Sequence, residues 1–79
     1  MAITFELTDT FSGEANYSWV RRGEYQGEGT HTSEASILRQ AKAWAGLNGV
    51  RCRKEEIGGT LTALYPQGRN LVLFIDYGC

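Results

Sequence analysis

The chain reads as a small α+β domain, an antiparallel sheet in the order β-β-α-β-β-β with one amphipathic helix packed on one face. Three observations predict this. Apolar and polar residues alternate in several short stretches, the period of a half-buried strand. One stretch, 33–45, carries its apolar residues at helical spacing instead. The turn signals Ser12-Gly13, Gly58-Gly59 and Pro66-Gln67-Gly68 punctuate the strand-like stretches.

In the first stretch Ile3, Phe5 and Leu7 alternate with Thr4, Glu6 and Thr8. Beyond Ser12-Gly13, Ala15, Tyr17 and Trp19 alternate with Asn16 and Ser18, which predicts a second strand to about Arg22, paired with the first as an antiparallel hairpin. Residues 23–32 hold Gly23, Gly27 and Gly29 and read as a loop or an irregular strand end. Thr32 or Ser33 caps the helix, and Glu34 suits the positive end of its dipole. Ile37, Leu38, Ala41, Trp44 and Ala45 form the apolar stripe, while Arg39, Gln40 and Lys42 face away. Gly46, or Asn48-Gly49, ends the helix with a left-handed residue. Residues 50–57 are polar enough for an edge strand. Residues 60–65 place Leu61, Ala63 and Tyr65 on one side of a fourth strand, and 71–77, the most apolar run, predicts a central strand.

The 79 residues make one domain, 1–79. A chain this short buries only about 60% of its unfolded surface, leaving little interior for an enclosed catalytic cavity. A net charge of −1 argues against a general nucleic-acid binder, which carries a basic excess. The charge is unevenly spread. Glu6, Asp9, Glu14, Glu24, Glu28 and Glu34 face only Arg21 and Arg22 in residues 1–34, a balance of −4; residues 35–79 carry six bases against three acids, a balance of +3. Two cysteines, Cys52 and Cys79, without a secretion signal or a membrane-length apolar run, predict a reduced protein of the cytoplasm.

No catalytic constellation emerges. His31 is the single histidine, and with Cys52 it forms no dyad with an orienting third group. One His and two Cys fall short of a tetrahedral zinc set, so neither a metal nor another cofactor is expected. Gly23, Gly27 and Gly29 do not match a phosphate-binding glycine motif. Two surface constellations remain. The carboxylates Glu14, Glu24 and Glu28, with Tyr25 among them, form a candidate patch for a basic surface on a protein partner. Arg21, Arg22, Arg51 and Arg53, with Tyr17 and Trp19, form a candidate stacking platform for single-stranded nucleic acid.

The stretch Ile3-Thr4-Phe5-Glu6-Leu7-Thr8-Asp9-Thr10-Phe11, continued by Tyr17-Ser18-Trp19-Val20-Arg21-Arg22, resembles short accessory reading frames of phages and prophages. In size, in its lone helix on a small sheet and in its lack of catalytic groups the whole chain resembles the small phage-encoded anti-CRISPR proteins. The resemblance is one of character, without a shared motif. It implies a non-catalytic inhibitor, a monomer or weak homodimer, that binds a type I Cascade complex and keeps target DNA off it. The alternative is a small nucleic-acid-binding or transcription-regulating phage protein that works through the arginines.

Overall fold

The computed structural model describes residues 3–25 and 33–77. Strands β1 (Thr4–Phe11), β2 (Glu14–Glu24), β3 (Cys52–Ile57), β4 (Leu61–Pro66) and β5 (Leu71–Asp76) form one sheet in the order β2-β1-β5-β4-β3. Every pairing is antiparallel. The helix α1 (Glu34–Ala45) joins β2 to β3, the two edge strands. It therefore has to pass beneath the sheet, and it packs against the central β5. The expected α+β class and element order are what the structure shows.

The hairpin of β1 and β2 turns at Ser12 and Gly13, whose φ values of 54° and 82° are the positive pair that a type I′ turn requires. The helix starts as its capping residues dictate. Ser33 is the N-cap, its hydroxyl accepting from the Ser36 N–H at 3.2 Å. It ends in a Schellman motif. Gly46 takes φ 75°, its N–H donates to the Ala43 carbonyl, and the Leu47 N–H reaches back to Lys42 at 2.7 Å. That turn drives Leu47 into the core, where it is fully buried. Of the two stops the sequence offered, Gly46 and Asn48-Gly49, the helix uses Gly46, and Leu47 was passed over.

Register sorts the strand residues onto two faces. Phe5, Leu7, Leu64, Leu73 and Ile75 meet Ile37, Ala41 and Leu47 in one cluster, with Leu38, Trp44, Ala45 and Tyr25 packed around it. The Trp44 ring sits 5.6 Å from that of Phe5. Gly23 lies in β2, beneath Trp44. A Cβ there would stand 2.5 Å from the indole Nε1, so the close approach of strand and ring requires glycine. Residue 23 thus lies at the end of β2, the strand end that the sequence offered beside a loop. The other expectations for residues 26–32, including His31 and the Thr32 cap, lie outside the described residues, as does Cys79.

Candidate functional site

The face of the sheet away from α1 carries no helix among the described residues. Cross-strand register writes its composition in rows. One row runs Glu24, Thr4, Asp76, Leu61; the next runs Arg22, Glu6, Phe74, Ala63. Neighbouring strands lie about 4.8 Å apart, so Glu24 and Asp76, two strands apart, are roughly 10 Å from each other. All of these residues but Ala63 line a groove of about 560 Å³. Tyr17 joins them as a wall. Three carboxylates, Glu6, Glu24 and Asp76, stand in the groove against one guanidinium, Arg22. Arg22 is committed to Glu6, Nε to Oε2 at 3.2 Å.

Tyr17 reaches the groove because β2 is not a regular strand. Thr8 pairs with Val20, but Thr10 pairs with Ala15, so residues 16–19 stand opposite the single residue Asp9. Three residues are in excess, and the chain bulges. Tyr17 takes φ 57°, a left-handed conformation that costs a non-glycine residue about 1–2 kcal/mol. The Asp9 carboxylate holds this bulge. It accepts from the Ser18 N–H at 3.0 Å, the Ser18 hydroxyl at 2.6 Å and Asn16 Nδ2 at 3.0 Å. Those hydrogen bonds, the Ser18 hydroxyl first and Asn16 next, lower the Asp9 pKa from 3.8 to about 2. The Thr8 hydroxyl adds a bond to the Trp19 carbonyl at 2.8 Å. The bulge corrects the expectation of a regular second strand: the alternation of Ala15, Tyr17 and Trp19 does not put them on one face of a ladder. Tyr17 remains 54% exposed and Trp19 44%, far more than their size would leave open in a core.

The acidic candidates separate in space. Glu24 lines the groove. Glu14 pairs with Phe11 at the far end of the hairpin, seven residues along β1 from Thr4, the partner of Glu24. At about 3.3 Å per residue that is roughly 23 Å. The Tyr25 ring packs against the core on the helix side, and its N–H donates to the Ile3 carbonyl at 2.8 Å. Burial against the core accounts for this aromatic without a partner. Glu28 lies outside the described residues. The sequence reading missed Glu6, Asp76, Tyr17 as a groove wall and Phe74. Only the register of β1 with β2 and β5 brings them together.

The arginine candidates do not gather either. Arg21 and Arg22 are adjacent in β2 and so point to opposite faces. Arg21 turns to the helix side, its guanidinium 4.6 Å from the Trp44 ring centroid and its Nη2 donating to the Trp44 carbonyl at 2.8 Å. There it caps the negative end of α1. Arg53 lies on β3, at the opposite edge, over the Tyr65 ring at 4.7 Å. Arg51 precedes β3, and its carbonyl accepts from the Gln67 N–H.

Elsewhere, Lys54 on β3 bonds Glu34 in the first turn of α1, pinning the edge strand to the helix. The hydrogen bond to Glu34, with weaker attraction from Glu34 and Glu56, raises the Lys54 pKa. Cys52 is half-buried, its thiol against the Val50 carbonyl. Among the described residues no group of His, Cys, Asp and Glu could hold a metal ion, and no helix is long and apolar enough to cross a membrane.

Comparison of the chain with protein-family models, with curated proteins and with solved structures finds no match.

Proposed function

We propose that this chain is a non-catalytic inhibitor that binds a basic surface of a protein complex through the open face of its sheet. One observation carries the reading: the groove of about 560 Å³ on that face combines an excess of carboxylates with exposed aromatic surface. Carboxylates on a rigid sheet steer association with a basic surface and exclude a nucleic-acid partner by like-charge repulsion. Aromatic surface supplies the desolvated contacts that dominate binding energy. The partner class that the resemblance to phage inhibitors implies, a type I Cascade complex in the bacterial cytoplasm, displays such a basic surface where it receives DNA. Occupying that surface needs no chemistry, only shape and charge.

The test is Cascade–DNA association measured by gel shift with the purified chain as competitor. Wild type blocks the shift and Glu24→Lys loses most of the block. The variant Arg21→Glu/Arg22→Glu, which reverses charge on both faces, loses less. A silent Glu24→Lys beside an inactive arginine variant would transfer the function to a nucleic-acid-binding surface. The scattered positions of Arg21, Arg22, Arg51 and Arg53 weigh against that second reading.

A further inference from the structure

We infer that the outer edge of β3 is a self-association surface. Two copies of this chain join their β3 strands antiparallel, with Lys54 on the twofold axis and Arg53 of each copy opposite the partner's Glu55. This goes beyond the proposed function and does not rest on it.

The backbone argument comes first. The sheet order leaves β2 and β3 as edges. The bulge at residues 16–19 interrupts β2, so an added strand could not pair along its whole length. β3 is regular. It pairs with β4 without a break from Cys52 opposite Pro66 to Ile57 opposite Leu61, and no described strand pairs with its outer side. In the same register the Gln67 N–H donates to the Arg51 carbonyl at 2.9 Å. Arg51, Arg53, Glu55 and Ile57 therefore turn their main-chain groups to β4, while Cys52, Lys54 and Glu56 turn theirs outward. Pro66 agrees with this: it stands opposite Cys52, where no N–H is required of it.

Charge identifies the occupant. Charged side chains on an edge ordinarily keep other strands away. Here they are two bases followed by two acids, Arg53-Lys54-Glu55-Glu56. An in-register parallel copy meets like charges, and an antiparallel copy meets opposite ones. A continuous sheet about a twofold axis opposes residues of the same face, so the axis has to pass through a residue. Centred on Lys54, the pairing bonds Lys54 to the partner's Lys54 and Cys52 to the partner's Glu56, and satisfies every outward group of both strands. Centred one residue to either side, it carries Cys52 or Glu56 past the end of the partner strand. In the Lys54 register Arg53 and the partner's Glu55 have Cβ atoms about 4.5–5.5 Å apart, and the pair occurs on both sides of the axis. Both side chains are exposed, and within one chain they approach only to 3.9 Å. The two Lys54 ammonium groups meet on the helix side, each already matched by Glu34 and, at 3.7 Å, by Glu56 of its own chain. The two helices, each packed against β5, stand five strand spacings apart, about 24 Å, and clear each other. β3 does not line the groove, so both grooves stay open on one face of the joined sheet.

The experiment is sedimentation equilibrium of the full chain up to millimolar concentration, with circular dichroism as the check that each variant is folded. The expected result is a dimer that forms with concentration and weakens as salt rises. Arg53→Glu and Glu55→Arg should each weaken association about tenfold or more, because each sets like charges at both pairs. Mixed in equal amounts, the two variants should associate again as a heterodimer, since one chain is then acidic and the other basic at both positions. Amide exchange of the wild type gives a reading that needs no variant. It should slow with concentration at Cys52, Lys54 and Glu56, and stay unchanged at Arg53 and Glu55, which are already bonded to β4. A chain that remains monomeric throughout, a dimer indifferent to both substitutions, or a mixture of the variants that does not associate would overturn the inference. So would a dimer that slows exchange elsewhere and leaves β3 untouched.

Discussion

The two faces of the sheet are made by the same five strands, yet they obey different rules. The covered face, under α1, has an apolar centre, where Phe5, Leu7, Leu64, Leu73 and Ile75 are buried to the last few per cent, and polar margins, where Arg21 and Lys54 reach the helix. The open face mixes Thr8, Ala63 and Val72, all fully buried, with Glu6, Glu24, Asp76, Tyr17 and Phe74 around a groove. The centre of the covered face is shaped by the hydrophobic effect. The other carries charge, aromatic surface and a strained residue, features that stability by itself does not demand. Under the proposed function, structure lies on one side of the sheet and recognition on the other.

The sharpest way to break this division is to damage each side separately. On the covered face Leu73 is fully buried in the central strand. Leu73→Ala should cost about 2–5 kcal/mol, much of the stability of so small a domain. Thermal and urea unfolding would read it, and a shift of less than about 1 kcal/mol would mean that α1 does not seal this face. Gly23→Ala comes next. The methyl group would push into the Trp44 indole, whose ring is backed by Phe5. Overpacking of this kind costs about 1–3 kcal/mol. Gly46→Ala, where there is open space but φ is 75°, tests backbone strain without the clash and should cost less.

For the polar contacts outside the core the expected effects on stability are smaller and depend on pH. The Asp9 carboxyl titrates at about 2 when folded against 3.8 ordinarily. Its stabilisation is present above pH 4 and is lost as pH falls from about 4 toward 2, because the unfolded chain takes up the proton first. Asp9→Asn should flatten acid unfolding across that interval, and Tyr17 should lose its fixed position. An unchanged acid limb in the variant would show that the bulge does not depend on this carboxylate. Lys54 runs the opposite way. Its pKa is raised by Glu34, so its contribution is complete below the ordinary lysine value of 10.5 and is lost as pH climbs past it. The pair is exposed, and salt should screen it, so Glu34→Gln should produce the smallest change of the series.

What could be read from the sequence follows the same division. Alternation in Ile3, Phe5 and Leu7 and helical spacing in Ile37, Leu38, Ala41, Trp44 and Ala45 announce burial, because both patterns record which side chains must leave water. The turn at Ser12-Gly13 and the stop at Gly46 were legible for a local reason, positive φ. The bulge was hidden because the stretch from Ala15 to Trp19 alternates as a regular strand would. Only Asp9, seven to nine residues away, distinguishes it. The groove was hidden for a longer-range reason. Glu6, Glu24 and Asp76 come from three strands, and their meeting depends on β5 inserting between β1 and β4. Glu24 was named for its place in an acidic stretch and lies in the groove. Tyr25, named beside it, has the opposite orientation because adjacent strand residues face opposite ways.

The central claim is that the open face binds and the covered face only folds. Glu24→Lys tests it most directly, because Glu24 is exposed, lines the groove and does not belong to the core cluster. The measurement is Cascade–DNA inhibition beside a thermal melt of the same sample. The account predicts a melt within about 0.5 kcal/mol of wild type and loss of most of the inhibition. A variant that folds as wild type and inhibits as wild type would contradict it.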